Sequence, residues 1–297
     1  MTAYRPFRLL TDPARPSAAL WRLTLGLLVA LVVMFGLSRA VLALARASLE
    51  DDSYWALVAA LERADTPLGL LGLLTIMGAM GVGALVACEH VHRRPVSTLF
   101  GPLRLFRRQF LVVALAVSML HIGVAILPPW PHAQTLQPGL PPTLWVSLLP
   151  LTLVALLIQT GSEELLFRGY LQSQLGARFA HPVVWLSVPS ALFALGHYAP
   201  EVYGENALAV MLWAGAFGLA AADLTARAGS LGPAIALHLV NNIAAIALVS
   251  LSGEMSGLAL YRLPFGADDS AAIAAILPAD LAMIGLSWLT ARIALAR

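Results

Sequence analysis

The chain has 297 residues, 59% hydrophobic and 11% charged, with a mean hydropathy of +0.81. A soluble globular domain carries about 25% charged residues, so this composition excludes an ordinary soluble protein and points to a chain whose solvent is mostly lipid. The basic residues are 18 arginines and no lysine, and a net charge of +2 is too small for a nucleic-acid-binding surface.

At about 20 apolar residues per crossing, the length suits one integral membrane domain over 1–297. The segment Met1 to Arg22 carries arginines and precedes an apolar run from Trp21 to Ala45. No clear small-residue cleavage site leads into a soluble domain, so the run reads as a retained first membrane helix and not a signal peptide. Seven more apolar segments follow: Pro67 to Cys88, Phe110 to Leu127, Leu144 to Thr160, Pro182 to Leu195, Asn206 to Ala222, Leu231 to Leu251, and Ala271 to Thr290. The expected fold is all-α, a polytopic transmembrane helical bundle of about eight membrane helices. The fourth and fifth segments are short for a full span, so their ends are expected to run into the semipolar stretches 161–175 or 196–200. That is a first hint of a polar interior.

Three local features add detail. The Pro-rich stretch Leu127 to Pro142 reads as an external loop with a short interfacial segment at Trp130. Cys88 is the single cysteine, so no intrachain disulfide can form, and its place at the end of an apolar run suits a packed small hydrophobe. Gly78, Ala79, Gly81 and Gly83, and later Gly215 and Gly218, offer small faces for close helix packing.

Orientation follows from charge. With the N-terminus cytoplasmic, thirteen arginines, among them Arg5, Arg8, Arg93, Arg94, Arg107 and Arg227, fall inside, against Arg46, Arg63 and Arg262 outside. This positive-inside pattern fits eight spans with both termini in the cytoplasm.

The informative residues lie at membrane depth. In Gly161-Ser-Glu-Glu-Leu-Leu-Phe-Arg-Gly-Tyr170, Glu164 and Arg168 stand at i,i+4 and can pair, while Glu163 lies about 100° round the helix. Glutamates inside a membrane cost several kcal/mol unless satisfied and usually mark a functional interior. A bland reading is that the segment ends a helix at the interface, where its charges meet headgroups. Two further segments count against it. His197 closes the fifth apolar run, and His238 with Asn242, sharing a face at i,i+4, lies inside the seventh. Each histidine alone could be an interhelical hydrogen-bonding residue. With Glu163 they bring a carboxylate, two imidazoles and a carboxamide from three segments.

Two chemistries remain open for this set. Glu163, His197 and His238 could bind a divalent metal such as zinc, which would acidify a bound water. Alternatively no cofactor is involved. A buried carboxyl is a stronger base than one in water, so Glu163 could take a proton from a water that His197 orients, with His238 and Asn242 donating to the oxyanion. Neither Cys88 nor Ser162 sits in a nucleophile arrangement, and no HExxH, GxxxxGK[ST] or GxGxxG motif occurs.

These segments resemble the CPBP family of intramembrane proteases, also called the CAAX-protease, bacteriocin-processing or Abi family. The matching motifs are EExxxR at Glu163 to Arg168, FxxxH at Phe193 to His197, and HxxxN at His238 to Asn242. The resemblance covers residues 160–242 and implies a catalytic core at about 144–251. It implies an intramembrane endopeptidase with Glu163 as catalytic glutamate and His197 as its partner in water activation. His238 and Asn242 would stabilise the oxyanion, and Glu164 with Arg168 would form a supporting pair. The family has been described both as metal-dependent and as using a glutamate-activated water. The expected partner is a membrane-associated protein or peptide substrate in the lipid bilayer of a bacterial inner (plasma) membrane. The alternatives are a non-catalytic scaffold or bacteriocin-immunity protein, or an ion-coupled transporter using the same buried groups.

Overall fold

The computed structural model of the protein describes residues 2–127 and 135–296. Eight apolar helices follow one another: α1 (Leu20–Ser48), α2 (Pro67–Val91), α3 (Val96–Ile126), α4 (Pro142–Arg178), α5 (Pro182–Leu195), α6 (Pro200–Ala228), α7 (Gly232–Leu248) and α8 (Ser270–Ala294). Six of these are long and apolar enough to cross a membrane, and α5 and α7 are shorter. The 14 residues of α5 reach about 21 Å at the helical rise, short of a hydrocarbon core about 30 Å thick. The eight apolar segments are therefore six full-length helices and two partial ones, in an all-α polytopic bundle. The short fourth segment does extend through the semipolar stretch, since α4 continues to Arg178.

The distribution of side chains is that of a protein dissolved in lipid. Val32, Phe35 and Leu44 of α1 are 72%, 62% and 70% exposed, while Glu164, Arg168 and Gln172 of α4 are completely buried. Leucines face out because lipid is their solvent, and polar groups turn in because only protein can satisfy them there. The helices α4 and α7 lie at the centre: α4 packs on α2, α5 and α7, and α7 also packs on α3, α6 and α8. Both interrupt their regular hydrogen bonding with π-helical turns, at Leu165–Gln172 and Ile243–Leu248. Such turns re-aim side chains and recur at functional sites.

The small residues of α2 do allow close approach. A Cβ placed on Gly83 would lie 2.5 Å from the Ala30 carbonyl oxygen of α1. Backbone cannot yield as a side chain can, so Gly83→Ala is expected to pry α1 from α2 and destabilise the protein by about 1–3 kcal/mol. Thermal melting in detergent measures this, and an unchanged midpoint would show that the α1–α2 contact contributes little.

The N-terminal stretch, which reads in sequence as an arginine-bearing tail, is folded onto the bundle. It runs through the short helical turns Thr2–Phe7, Arg8–Thr11 and Asp12–Ser17. Phe7, Leu10 and Ala14 are buried. The hydroxyl of Tyr4 donates to Asp223 of α6 at 2.7 Å, and Asp223 also accepts from Arg227 and Trp288. Just beyond α2, burial pulls the His92 imidazole down to about 4. The neutral ring donates from Nδ1 to the Ser17 carbonyl at 3.2 Å and accepts the Tyr170 hydroxyl on Nε2 at 2.7 Å. Cys88 is buried, its Sγ near the Arg94 carbonyl.

Among the described residues, three strands form a small sheet: β1 (Gln137–Pro138), β2 (Val249–Ser252) and β3 (Tyr261–Gly266), in the order β1-β3-β2. This corrects the seventh apolar segment, which the hydrophobic run extends as helix to Leu251. Val249 leaves the helix at φ −133°, ψ 110° and pairs with Tyr261 of β3. Pairing with a strand beyond the apolar run leaves no trace in the run's own hydropathy. The interfacial segment expected at Trp130 lies outside the described residues.

Candidate active site

Successive turns of α4 bring Gln159, Glu163, Glu164 and Arg168 into the middle of the bundle. Glu163 is 5% exposed, and Glu164 and Arg168 are completely enclosed. The i,i+4 spacing closes an ion pair, Arg168 Nη1 donating to Glu164 Oε1 at 3.0 Å. Arg168 is further held by donation from Nη2 to the Gly218 carbonyl at 3.2 Å, and its guanidinium lies 4.7 Å from the Phe193 ring centroid. A cation over an aromatic face in a dry interior is a favourable contact. Gly218 permits this approach, since a Cβ there would stand 3.3 Å from Arg168 Nη2.

The same Glu164 oxygen takes a second partner, His238 Nδ1 of α7, at 2.8 Å. A carboxylate paired to arginine has only acceptors, so the hydrogen of this bond sits on His238 Nδ1. In its neutral form the ring then presents a bare Nε2, the atom that lies 3.6 Å from Glu163 Oε2. That distance is too long for a direct hydrogen bond. Glu163 Oε2 is buried and has no hydrogen-bond partner among the described residues. Its other oxygen, Oε1, accepts from Gln159 Nε2 at 2.8 Å, and Gln159 Oε1 accepts from Asn242 Nδ2 at 2.9 Å.

His197 stands just beyond α5 and is partly buried. Its Nδ1 donates to the Phe193 carbonyl at 2.9 Å, because a carbonyl can only accept; Nε2 is again left bare. The Phe193 ring packs on His197 at 4.5 Å and on His238 at 6.1 Å between centroids. The structure thus gathers Glu163, Glu164, Arg168, His238 and Asn242 through hydrogen bonds or short charge contacts. His197 joins them through the Phe193 ring, and the contacts of Glu163 and Glu164 run to Gln159, His238 and Arg168 instead.

The metal reading can be tested on these donors. Each histidine donates Nδ1–H to an oxygen and exposes Nε2, an arrangement that would suit a metal ligand. Among the described residues, however, no three His, Cys, Asp or Glu side chains are gathered closely enough to hold an ion. Glu163, His197 and His238 do not fit a three-ligand site as they stand.

One participant and one pairing were not legible from motifs. Gln159 lies one turn before Glu163, and its i−4 spacing was the available signal. The second ring partner of Glu164, His238, is set only by the packing of α7 against α4.

Comparison with known proteins agrees with the motifs. Residues 141–244 match the family model "Type II CAAX prenyl endopeptidase Rce1-like". The chain is also 26% identical over 168 residues to YyaK of Bacillus subtilis (strain 168), described as uncharacterized, the match covering 54% of this chain and 54% of that protein. The chain thus spans about half the length of this curated relative. No solved structure gives a significant match. Residues 141–244, the stretch that builds the buried Glu163–His238 site, are thus similar to the type II CAAX prenyl endopeptidase Rce1-like family.

Proposed function

We propose that the protein is an intramembrane endopeptidase that hydrolyses a peptide bond in a membrane-associated protein or peptide with a water activated by Glu163. The observation that carries this reading is the buried Glu163 Oε2, unpartnered among the described residues and facing a second acceptor, His238 Nε2, at 3.6 Å. Two acceptors so placed call for a donor between them, and one water can reach both.

Glu163 takes a proton from this water as its oxygen bonds to the scissile carbonyl carbon. The carbonyl oxygen becomes an oxyanion. Glu163 then passes the proton to the amide nitrogen as the carbon–nitrogen bond breaks, which balances the hydrolysis. Asn242 uses one Nδ2 hydrogen on Gln159 and keeps a second for the oxyanion. His238 accepts in its neutral form, so it serves as an oxyanion donor only once it carries a proton on Nε2. Once His238 carries that proton, His197 Nε2 takes its place as the second acceptor that orients the water. Glu164 and Arg168 fix His238 in this tautomer.

A cavity of about 1070 Å³, lined by apolar residues of α1 to α4 such as Val41, Leu71, Phe106 and Ile158, reaches Gly161 and Ser162 beside the site. Its lining favours a substrate that arrives within the membrane. The arginine asymmetry favours both termini cytoplasmic, and the use of arginine without lysine suits a bacterial inner membrane. Quantitative proteomics of membranes holding wild-type protein or Glu163→Gln tests the proposal: the variant should accumulate uncut substrates. Identical peptide profiles would point to a scaffold, immunity or transport role instead.

Because three donors are not gathered, the water route is proposed without a metal. Purified active protein treated with a chelator is expected to keep its activity, with no stoichiometric metal by elemental analysis. Loss of activity restored by zinc would overturn this part of the reading.

A further inference from the structure

Gln159 occupies a position in the membrane interior that hydrophobic packing does not explain. It is 5% exposed, and a carboxamide removed from water is costly unless both its ends are bonded. Both are: Nε2 donates to Glu163 Oε1 at 2.8 Å, and Oε1 accepts from Asn242 Nδ2 at 2.9 Å. The chemistry of the partners fixes the polarity of this chain of bonds. Glu163 as carboxylate can only accept, so the Gln159 amide must turn its NH2 toward it. Its oxygen then faces Asn242 and compels that residue to present its own NH2.

We propose that Gln159 is a positioning residue of the proteolytic centre, acting through Glu163 and Asn242. Its bond to Oε1 stops the Glu163 carboxylate from rotating and leaves Oε2 as the oxygen that faces His238 Nε2. Its second bond sets the flip of the Asn242 amide, so that the remaining Nδ2 hydrogen is available to the developing oxyanion. The relay also joins α4 to the last α-helical residue before the π-helical turn Ile243–Leu248 of α7. One side chain thereby sets the geometry of the water-activating carboxylate and of the oxyanion donor together. Misplacement of a reacting group by about 1 Å can slow a reaction about 100-fold.

This inference rests on the endopeptidase reading, and the experiment separates the two. Wild type, Glu163→Gln, Gln159→Leu, Asn242→Ala and the Gln159→Leu/Asn242→Ala double variant are reconstituted in proteoliposomes with a library of quenched fluorescent transmembrane peptides. Gln159→Leu keeps the volume and removes both bonds. It is expected to lower kcat about 10- to 100-fold with KM changed less than about threefold, since the residue acts on the transition state and not on substrate binding. The double variant should lose little more than the worse single variant, because members of one relay are not additive. Melting midpoints are read in parallel, and Gln159→Glu, which keeps the acceptor for Asn242 but places a carboxyl that shares a proton with Glu163, should remain slow and move the pH profile of kcat while retaining the fold. Absence of cleavage by wild type would remove the endopeptidase reading. Cleavage by wild type with Gln159→Leu within twofold of it, fully additive losses, or losses that track melting alone would overturn the role of Gln159.

Discussion

Glu163→Gln is expected to stop peptide hydrolysis, lowering kcat by about 10²–10⁴-fold, the range over which a positioned general base contributes. The substitution is nearly isosteric, and its amide oxygen can still accept from Gln159 Nε2, the bond that holds Oε1 in the wild type. What it removes is the proton acceptor at Oε2, the atom that faces His238 Nε2. The protein should therefore insert, fold and melt as wild type does while turnover disappears. His197→Ala should also impair turnover with the fold retained, because His197 is partly buried just beyond α5 and, among the described residues, its ring hydrogen-bonds to the Phe193 carbonyl of that helix. Single-turnover assays on purified protein check both. Alanine or glutamine variants that cleave at the wild-type rate would remove the catalytic assignment of the residue concerned.

Breaking the Glu164–Arg168 pair has a different signature. Both side chains are completely buried, and removing one member of such a pair leaves an uncompensated charge at a penalty of about 3–5 kcal/mol. The two losses are not symmetric. Arg168→Ala leaves Glu164 still bonded to His238 Nδ1, and a proton on that ring can offset the orphaned carboxylate. Glu164→Ala leaves the guanidinium with the Gly218 carbonyl and the Phe193 face alone, and it also frees the His238 ring. Glu164→Ala is therefore expected to lower the melting midpoint more than Arg168→Ala and to reduce kcat as well. Unchanged melting in both variants would falsify the supporting role of the pair.

Much of the architecture was readable from residue order because lipid imposes a simple rule. Backbone polar groups must be satisfied within each segment, so long apolar runs can only be helices. The eight segments are all present, and the ion pair of Glu164 with Arg168 follows from helical spacing alone. The lengths were less legible: α4 runs on through charged residues because their partners sit on α5, α6 and α7, which no window of hydropathy along one helix can detect. The same limit hid the strand Val249–Ser252, the docking of Tyr4 on Asp223, and the gap of Trp288 and Arg227 that Asp223 fills.

At the site, motif spacing placed Glu163, His197, His238 and Asn242 on three segments and left their chemistry open between a metal and an activated water. Only the packing of α4 against α7 decided which groups meet. It turned His238 Nδ1 onto Glu164, set the bare Nε2 opposite Glu163, and inserted Gln159 between Glu163 and Asn242. The reason is physical: spacing along a helix settles which face a side chain shares, whereas the direction of a hydrogen bond depends on the donor or acceptor that another helix brings to it.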